Sequence, residues 1–494
     1  SNSISFCIVG SGTAGLITSI VLRQAFPYAQ ITNISSSKIG IVGVGEGSTE
    51  HWRMFMDKCN IGVEELIVNT GATHKYGIRF ENWTEKRQDY FHSISGIEEI
   101  NAWGLMGEYM SFIENDKSIT SQTGSVGLVQ NKIAREGLHG NTNQYHFDTF
   151  LLNDFLVGVC FKRMIKFIDD EVVDLILDEN GYIESATLSS NPAVSADVWI
   201  DASGFGRQLM SRLKNSTWKS FSDYLLVDSA IAFPTESDSS GQIRPYTRAR
   251  AASSGWMWEI PTQSRRGNGY VYSSAHMTED QAVHEARIMS GYCDIQPARS
   301  FKFDPGYYRE QWVKNCISVG LASSFVEPLE ATSIGSTIIQ AMHIAQYCSS
   351  FVKGANKLVA DYNKKMESMM LNICDMMRLH YISDKQDTKF WKDVSTMPIP
   401  DSLKNLLDIW SERAPSYMDV PHDGCSMFTT RHFLHVAQGQ NLVATKPSSM
   451  AMDRFSIRDL VEKKSDNIRS SRYSRELVDH KQALMETVGE DSFF

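Results

Sequence analysis

Two stretches of this 494-residue chain combine residue types and spacings that could carry chemistry. The first, Gly10-Ser11-Gly12-Thr13-Ala14-Gly15, lies between an apolar run from Ile4 to Val9 and a helix-forming run from Leu16 to Ala25. Glycines in that Gly-x-Gly-x-x-Gly setting permit a tight turn and let a pyrophosphate approach the N–H groups that open a helix. The second is Gly255-Trp256-Met257-Trp258-Glu259-Ile260-Pro261. Tryptophans at period two share one face of a strand, where they serve equally well as core filling or as a rigid wall. Pro261 ends strand pairing, and the stretch from Arg265 to Tyr272 reads as a turn into another strand, which fixes two indoles beside a turn.

Around the glycine turn, Gln30 to Ile34 supplies the next strand of a β-α-β opening. From His51 to about Cys160 the pattern is mixed and aromatic. Glu171 to Leu177 and Tyr182 to Leu188 predict a hairpin around Asp178-Glu179-Asn180-Gly181. Further strands are expected at Val198 to Ile200, Leu225 to Ile231, Gly269 to Ser273 and Cys316 to Val319. After Ser336 apolar residues recur at helical spacing, through Ile338, Ile339, Met342 and Ala345 and then Met366, Met369, Met370 and Ile373. Mixed charges from Arg454 to Leu484 predict a solvated helical face. The expected fold is α/β and Rossmann-like, with a large domain over 1–360 and a mostly helical substrate-side part over 361–494.

Lys and Arg total 48 against 58 Asp and Glu, a net charge of −10 that disfavours nucleic acid and suits a small-molecule substrate. No apolar run is long enough to span a bilayer, and no charged lead or cleavage site precedes the first strand, so no membrane role and a cytoplasmic location are expected. The eight cysteines lack Cys-x-x-Cys spacing and are expected as free thiols, with no metal site.

The chain resembles the flavin-dependent halogenases, the family typified by tryptophan halogenases, whose Trp-x-Trp-x-Ile-Pro signature matches Trp256, Trp258, Ile260 and Pro261. Three further stretches resemble, in the same order, the flavin fold shared by halogenases and aromatic hydroxylases: Gly43 to Thr49, Asp197 to Gly204, and Gly320 to Phe325. The resemblance implies a FAD-binding Rossmann-like fold of the flavin hydroxylase type. Gly10, Gly12, Thr13, Ala14 and Gly15 would hold FAD, Val44, Gly45 and Glu46 would lie on a strap across it, and Gly320, Leu321 and Ile334 would approach the isoalloxazine. The tryptophan motif would line the passage between flavin and substrate and keep the two apart.

Lys75 and Glu330 fall on the family's catalytic pair. In this reading reduced FAD, dioxygen and halide form hypohalous acid, Lys75 delivers it to an aromatic substrate, and Glu330 orients Lys75 or deprotonates the intermediate. The amides of Thr332 and Ser333 would form the halide nest. The apolar and aromatic neighbours of Lys75 between Gly71 and Trp83 fit a desolvated ammonium of lowered pKa, although an ordinary surface lysine fits the spacing too. Glu330 could instead serve a helix dipole.

Three positions depart from the family pattern. Ser35 stands where the fold normally places a ribose-binding Asp or Glu, so one neutral hydrogen bond replaces charge-assisted ones. Ala331 replaces the usual serine and Ser333 the usual glycine in Glu327-Pro328-Leu329-Glu330-Ala331-Thr332-Ser333, which leaves halide preference open. No second dinucleotide fingerprint is visible, which fits a separate flavin reductase as the source of reduced FAD. The aromatic acceptor is expected among Phe91, His92, Trp103, Trp410, His432, Phe433 and His435. Arg431-His432-Phe433-Leu434-His435 lacks the tryptophan expected there in the family, so an indole or phenol other than free tryptophan stays open, as does an oligomeric state. The rival readings are a flavin-dependent aromatic hydroxylase and a flavin-binding protein without turnover.

Overall fold

Ser5–Val9 is an almost wholly buried strand, paired in parallel with Gln30–Ser35 on one side and Val198–Asp201 on the other. Continuous apolar strands take this form when both faces of a parallel sheet are covered. The computed structural model describes residues 3–40, 45–86, 89–93, 103–106, 128–134, 144–213, 215–421, 423–463 and 477–489. Within them the sheet has six strands, in the order Trp312–Val313, Cys316–Ser318, Val198–Asp201, Ser5–Val9, Gln30–Ser35, Lys166–Asp169. Helix Thr13–Ala25 follows the glycine turn and packs against Thr149–Lys162 and Thr332–Cys348.

A second sheet, of seven strands, carries the tryptophan motif: Arg299–Lys302, Ser229–Glu236, Arg265–Tyr272, Gly255–Pro261, Thr247–Ala252, Gly77–Glu81 and Asp89–Ser93. All neighbours are antiparallel except Thr247–Ala252 and Gly77–Glu81. The mixed pattern after His51 thus conceals two strands that join this sheet, separated in sequence from the rest of it. Lys75 sits one step earlier, on Thr73–Lys75, which pairs with Gln144–Phe147 in a separate sheet of three strands. The chain changes sheets at Gly77, whose φ of +130° and contact with the His92 carbonyl leave no room for a Cβ.

The expected hairpin forms between Val172–Leu177 and Ile183–Leu188. Two expected strands are displaced. Leu225 to Ile231 is instead Ser229–Glu236, because Leu225 closes a turn onto the Phe221 carbonyl before pairing starts. Gly269 to Ser273 is instead Arg265–Tyr272, because Gly267 and Gly269 lie inside the strand, opposite Ile260 and Trp258. The C-terminal third is largely helical, with Asn356–His380 the longest helix, and the boundary expected at 360/361 falls inside it. Leu477–Asp479, in the stretch expected to be helical, is a short strand paired with Lys132–Ala134, and 464–476 lie outside the described residues. The eight cysteines are unpaired, and no helix among the described residues is long and apolar enough to cross a membrane.

A Cβ at Gly269 would lie 1.9 Å from Cη2 of the Trp258 indole. Gly269→Ala is therefore expected to destabilise the protein by about 1–3 kcal/mol, the usual cost of forcing extra volume into a packed core. Thermal unfolding checks it; an unchanged midpoint would mean that the indole is free to move aside.

Candidate active site

A cleft of about 770 Å³ runs from the glycine turn to the tryptophan strand. Gly10, Gly12, Thr13 and Ala14 line one end, with Ser35 beside them, while Gly15 packs beneath, where a Cβ would lie 2.1 Å from the Gly10 carbonyl oxygen. Gly12 caps helix Thr13–Ala25 without any side-chain hydrogen bond, and a Cβ there would meet only open space. The first N–H groups of the helix thus face the cleft without a capping side chain, the donor set a pyrophosphate requires. These residues fit a dinucleotide. At the ribose position, Ser36 Oγ donates to Glu171 Oε1 at 3.1 Å, and Glu171 itself lines the cleft. Glu171 lies two residues beyond the neighbouring strand Lys166–Asp169, so an acid borders this end of the cleft although none stands on the second strand.

Gly45, Glu46, Gly320, Leu321 and Ile334 also line the cleft, and Val44 lies outside the described residues. Burial pushes the Glu46 carboxyl up to about 7. Thr332 and Ser333 open the helix Thr332–Cys348 on the cleft, with Ala331 as N-cap at a left-handed φ of 51° and no capping side chain. Holding an alanine there costs about 1 kcal/mol. It leaves the first-turn amides without a side-chain partner.

Trp256, Trp258 and Ile260 form a wall of the cleft; Pro261 does not line it. The two indoles lie 6.1 Å apart at 54°. Trp256 Nε1 donates to Glu327 Oε1 at 2.9 Å, and the Tyr381 hydroxyl donates to the same oxygen at 2.7 Å. Pro261 acts through its backbone instead, since its carbonyl accepts from Thr73 Oγ1 at 2.7 Å and so ties the tryptophan strand to the strand bearing Lys75.

Lys75 is 1 % exposed and donates from Nζ to the Ser48 carbonyl at 2.7 Å. Desolvation lowers its pKa from 10.5 to about 8, against the pull of Glu330 and Glu50. Burial therefore outweighs two nearby carboxylates, by roughly 3 kcal/mol net. A small cavity of about 20 Å³ adjoins the amine, lined among others by Glu50, His92, Glu330, Phe428 and His432. Ile78 borders both this cavity and the large cleft, and Gly47 separates them so closely that a Cβ on it would lie 3.2 Å from Lys75 Nζ.

Glu330 makes no ion pair with Lys75 among the described residues; the amine's hydrogen bond goes to the Ser48 carbonyl, and Glu330 acts on it at longer range. Its oxygens are held by His92 Nδ1, at 2.8 and 2.9 Å, and by His380 Nε2 at 2.5 Å. Burial works to raise the Glu330 pKa, but the two histidines hold it well below the carboxylate range. Burial also lowers the His380 pKa, against the pull of Glu330, and so favours the neutral ring. Nε2–H then donates to Glu330, and Nδ1 accepts from the Tyr90 hydroxyl at 2.7 Å, whose oxygen accepts in turn from Gln440 Nε2 at 3.2 Å. Sequence reading placed His92 only on the substrate side and missed His380, Tyr381, Tyr90, Gln440 and Glu327, which meet only in three dimensions.

Of the residues expected around the aromatic acceptor, His92 and His432 line the Lys75 cavity, and His435 stacks obliquely on His92. The others lie elsewhere. Phe91 packs edge-on against Tyr246, Trp410 is core with its indole on Asp419, Phe433 is core, and Trp103 stands exposed against Phe455. Phe428, not anticipated, completes the ring-lined end.

The tryptophan halogenase family model matches residues 5–454. The tryptophan 6-halogenase SttH of Streptomyces toxytricini is 30 % identical over 448 residues, 84 % of this chain and 85 % of that protein. The tryptophan 7-halogenase RebH of Lentzea aerocolonigenes is 31 % identical over 452 residues, 84 % and 82 % of the two chains. Among solved structures, the flavin-dependent halogenase BrvH of Brevundimonas sp. BAL3 superposes with a TM-score of 0.85 at 27 % identity, covering 98 % of this chain and 99 % of that one. The chain belongs to the tryptophan halogenase family of flavin-dependent halogenases.

Proposed function

We propose that this halogenase attaches an oxidised halogen to a small electron-rich ring of the indole or phenol type, with Lys75 and Glu330 as the catalytic residues. The observation that carries the reading is the dry ammonium of Lys75, one residue's width from the cleft and sharing a cavity with Glu330. Reduced FAD, supplied by a separate reductase, provides together with dioxygen the two-electron oxidation of halide to hypohalous acid. Gly10, Gly12, Thr13 and Ala14 would bind its pyrophosphate end, Glu171 with Ser35 and Ser36 its ribose, and Gly45, Glu46, Gly320, Leu321 and Ile334 the ring region. The uncapped amides of Thr332 and Ser333 suit a halide.

The protein's own part is routing and polarisation. Trp256 and Trp258 bar the aromatic substrate from the cleft while a molecule as small as hypohalous acid passes beside Ile78 to Lys75. The ammonium donates a hydrogen bond to the oxygen of hypohalous acid. As the ring carbon attacks, the C–X bond forms, the O–X bond breaks, and the oxygen leaves as water after taking a proton from Lys75. Glu330, kept ionised by His92 and His380, accepts the proton that the ring carbon gives up. Glu330 releases its proton to solvent, and a proton from solvent restores the Lys75 ammonium. His92, Phe428 and His432 line the cavity beside the amine, which at about 20 Å³ has to widen to receive a ring.

Lys75→Ala is expected to cut halogenated product by at least about a hundredfold, the cost of removing one donor from a dry site, while dioxygen consumption with reduced FAD continues. Mass analysis of product against an oxygen electrode checks it, and halogenation at the native rate would remove Lys75 from the reaction. Because the working form is the ammonium and its pKa is about 8, kcat should fall as pH rises through that value; a flat profile to pH about 10, near the reference lysine value, would contradict it. Tyr90→Phe should free the His380 ring, move the acid limb of kcat upward and lower kcat about tenfold with KM little changed. A purely structural role for Tyr90 would leave that limb where it is.

A further inference from the structure

One buried carboxyl on the tryptophan wall plays no part in these steps. Glu327 is 1 % exposed and lines the cleft with Trp256, whereas Glu330, three positions on, faces the Lys75 cavity. Consecutive residues at one helix end hold the two: Tyr381 grips Glu327 and His380 grips Glu330. The Glu-Pro-Leu-Glu turn thus sets one carboxyl on the large cleft and the other on the Lys75 cavity. The two carboxyls differ in one respect. Glu330 has partners on both oxygens, but only Oε1 of Glu327 is engaged, by Trp256 and Tyr381, and its buried Oε2 has no partner among the described residues. An unpartnered buried acceptor costs stability and calls for an explanation.

We propose that Glu327 is a transit site for hypohalous acid, its Oε2 hydrogen-bonding the O–H end of the molecule as it leaves the cleft for Lys75. The proposal rests on the halogenase reading above. The carboxyl is pushed up to about 7 by burial, so both protonation states are populated near neutral pH. The carboxylate accepts the O–H of hypohalous acid, which an amide NH₂ in the place of Oε2 could not do. The electrophilic halogen is turned away from the carboxyl, and with it from the indole N–H that the carboxyl holds. No covalent bond changes; the station retains a small neutral molecule that would otherwise return to the open cleft and be lost to water.

Glu327→Gln separates this role from anchoring the wall, because the amide oxygen still accepts from Trp256 and Tyr381 while an NH₂ replaces Oε2. Under turnover with reductase, bromide and an indole, a small 1,3-diketone in solution traps escaped hypobromous acid. The ratio of brominated trap to brominated indole should rise about fivefold to tenfold in Glu327→Gln, the worth of one hydrogen bond; a ratio is insensitive to how much enzyme is folded. In flavin-free protein given hypobromous acid directly, the yield of brominated indole per oxidant should fall in the same variant. Wild-type values in both measurements would overturn the transit site, as would a leak confined to Glu327→Leu, which would reduce Glu327 to an anchor of Trp256. Failure of the wild type to brominate either indole or trap would overturn the halogenase reading instead.

Discussion

The structure depends on keeping one ammonium out of water. Lys75 sits on a strand whose three residues are all buried, and its only direct partner among the described residues is a backbone carbonyl. A hydrated amine would let hypohalous acid diffuse away and would offer it a hydrogen bond no better than water's. A dry one concentrates its charge on whatever enters the cavity, because electrostatic interactions strengthen as the local dielectric falls. Desolvation raises the energy of that charge, and Glu330 and Glu50 offset part of the cost without neutralising it by contact.

The same logic explains the long helix. Asn356–His380 carries a buried methionine face into the core and ends where two carboxyls need fixing. His380 and the following Tyr381 reach Glu330 and Glu327 from one rigid point, and Tyr90 and Gln440 lock the histidine in the tautomer that donates. A carboxylate meant to receive a proton must be ionised yet dry, two demands that conflict unless hydrogen-bond donors replace the lost water. The clamp meets both by supplying donors from an element set by core packing, so the geometry does not rely on surface loops.

What the sequence made legible was local. The glycine turn and the tryptophan strand are read within a few residues, where spacing dictates direction and neighbours dictate exposure, and both border the cleft. Lys75 was half legible: its apolar neighbours implied desolvation, while the resemblance supplied its pairing with Glu330. The clamp on Glu330 was not legible, because His380, which donates to it, and Tyr90 and Gln440, which hold that ring, are ordinary residues far apart in the chain that meet only in the fold. Glu171 escaped for a related reason: it follows the strand Lys166–Asp169, which lies beside that of Ser35 in space but not in sequence. The displaced strand at Arg265–Tyr272 traces to glycines read as turn formers that instead make room for an indole.

The most direct measurement is the mass of products formed from a panel of indoles and phenols when the protein is incubated with a flavin reductase, FAD, a nicotinamide cofactor and each halide in turn. The account predicts that one hydrogen is replaced by the halide supplied, and that no aromatic product forms when halide is left out. Gain of a single oxygen, independent of halide, would contradict it and assign the fold to hydroxylation.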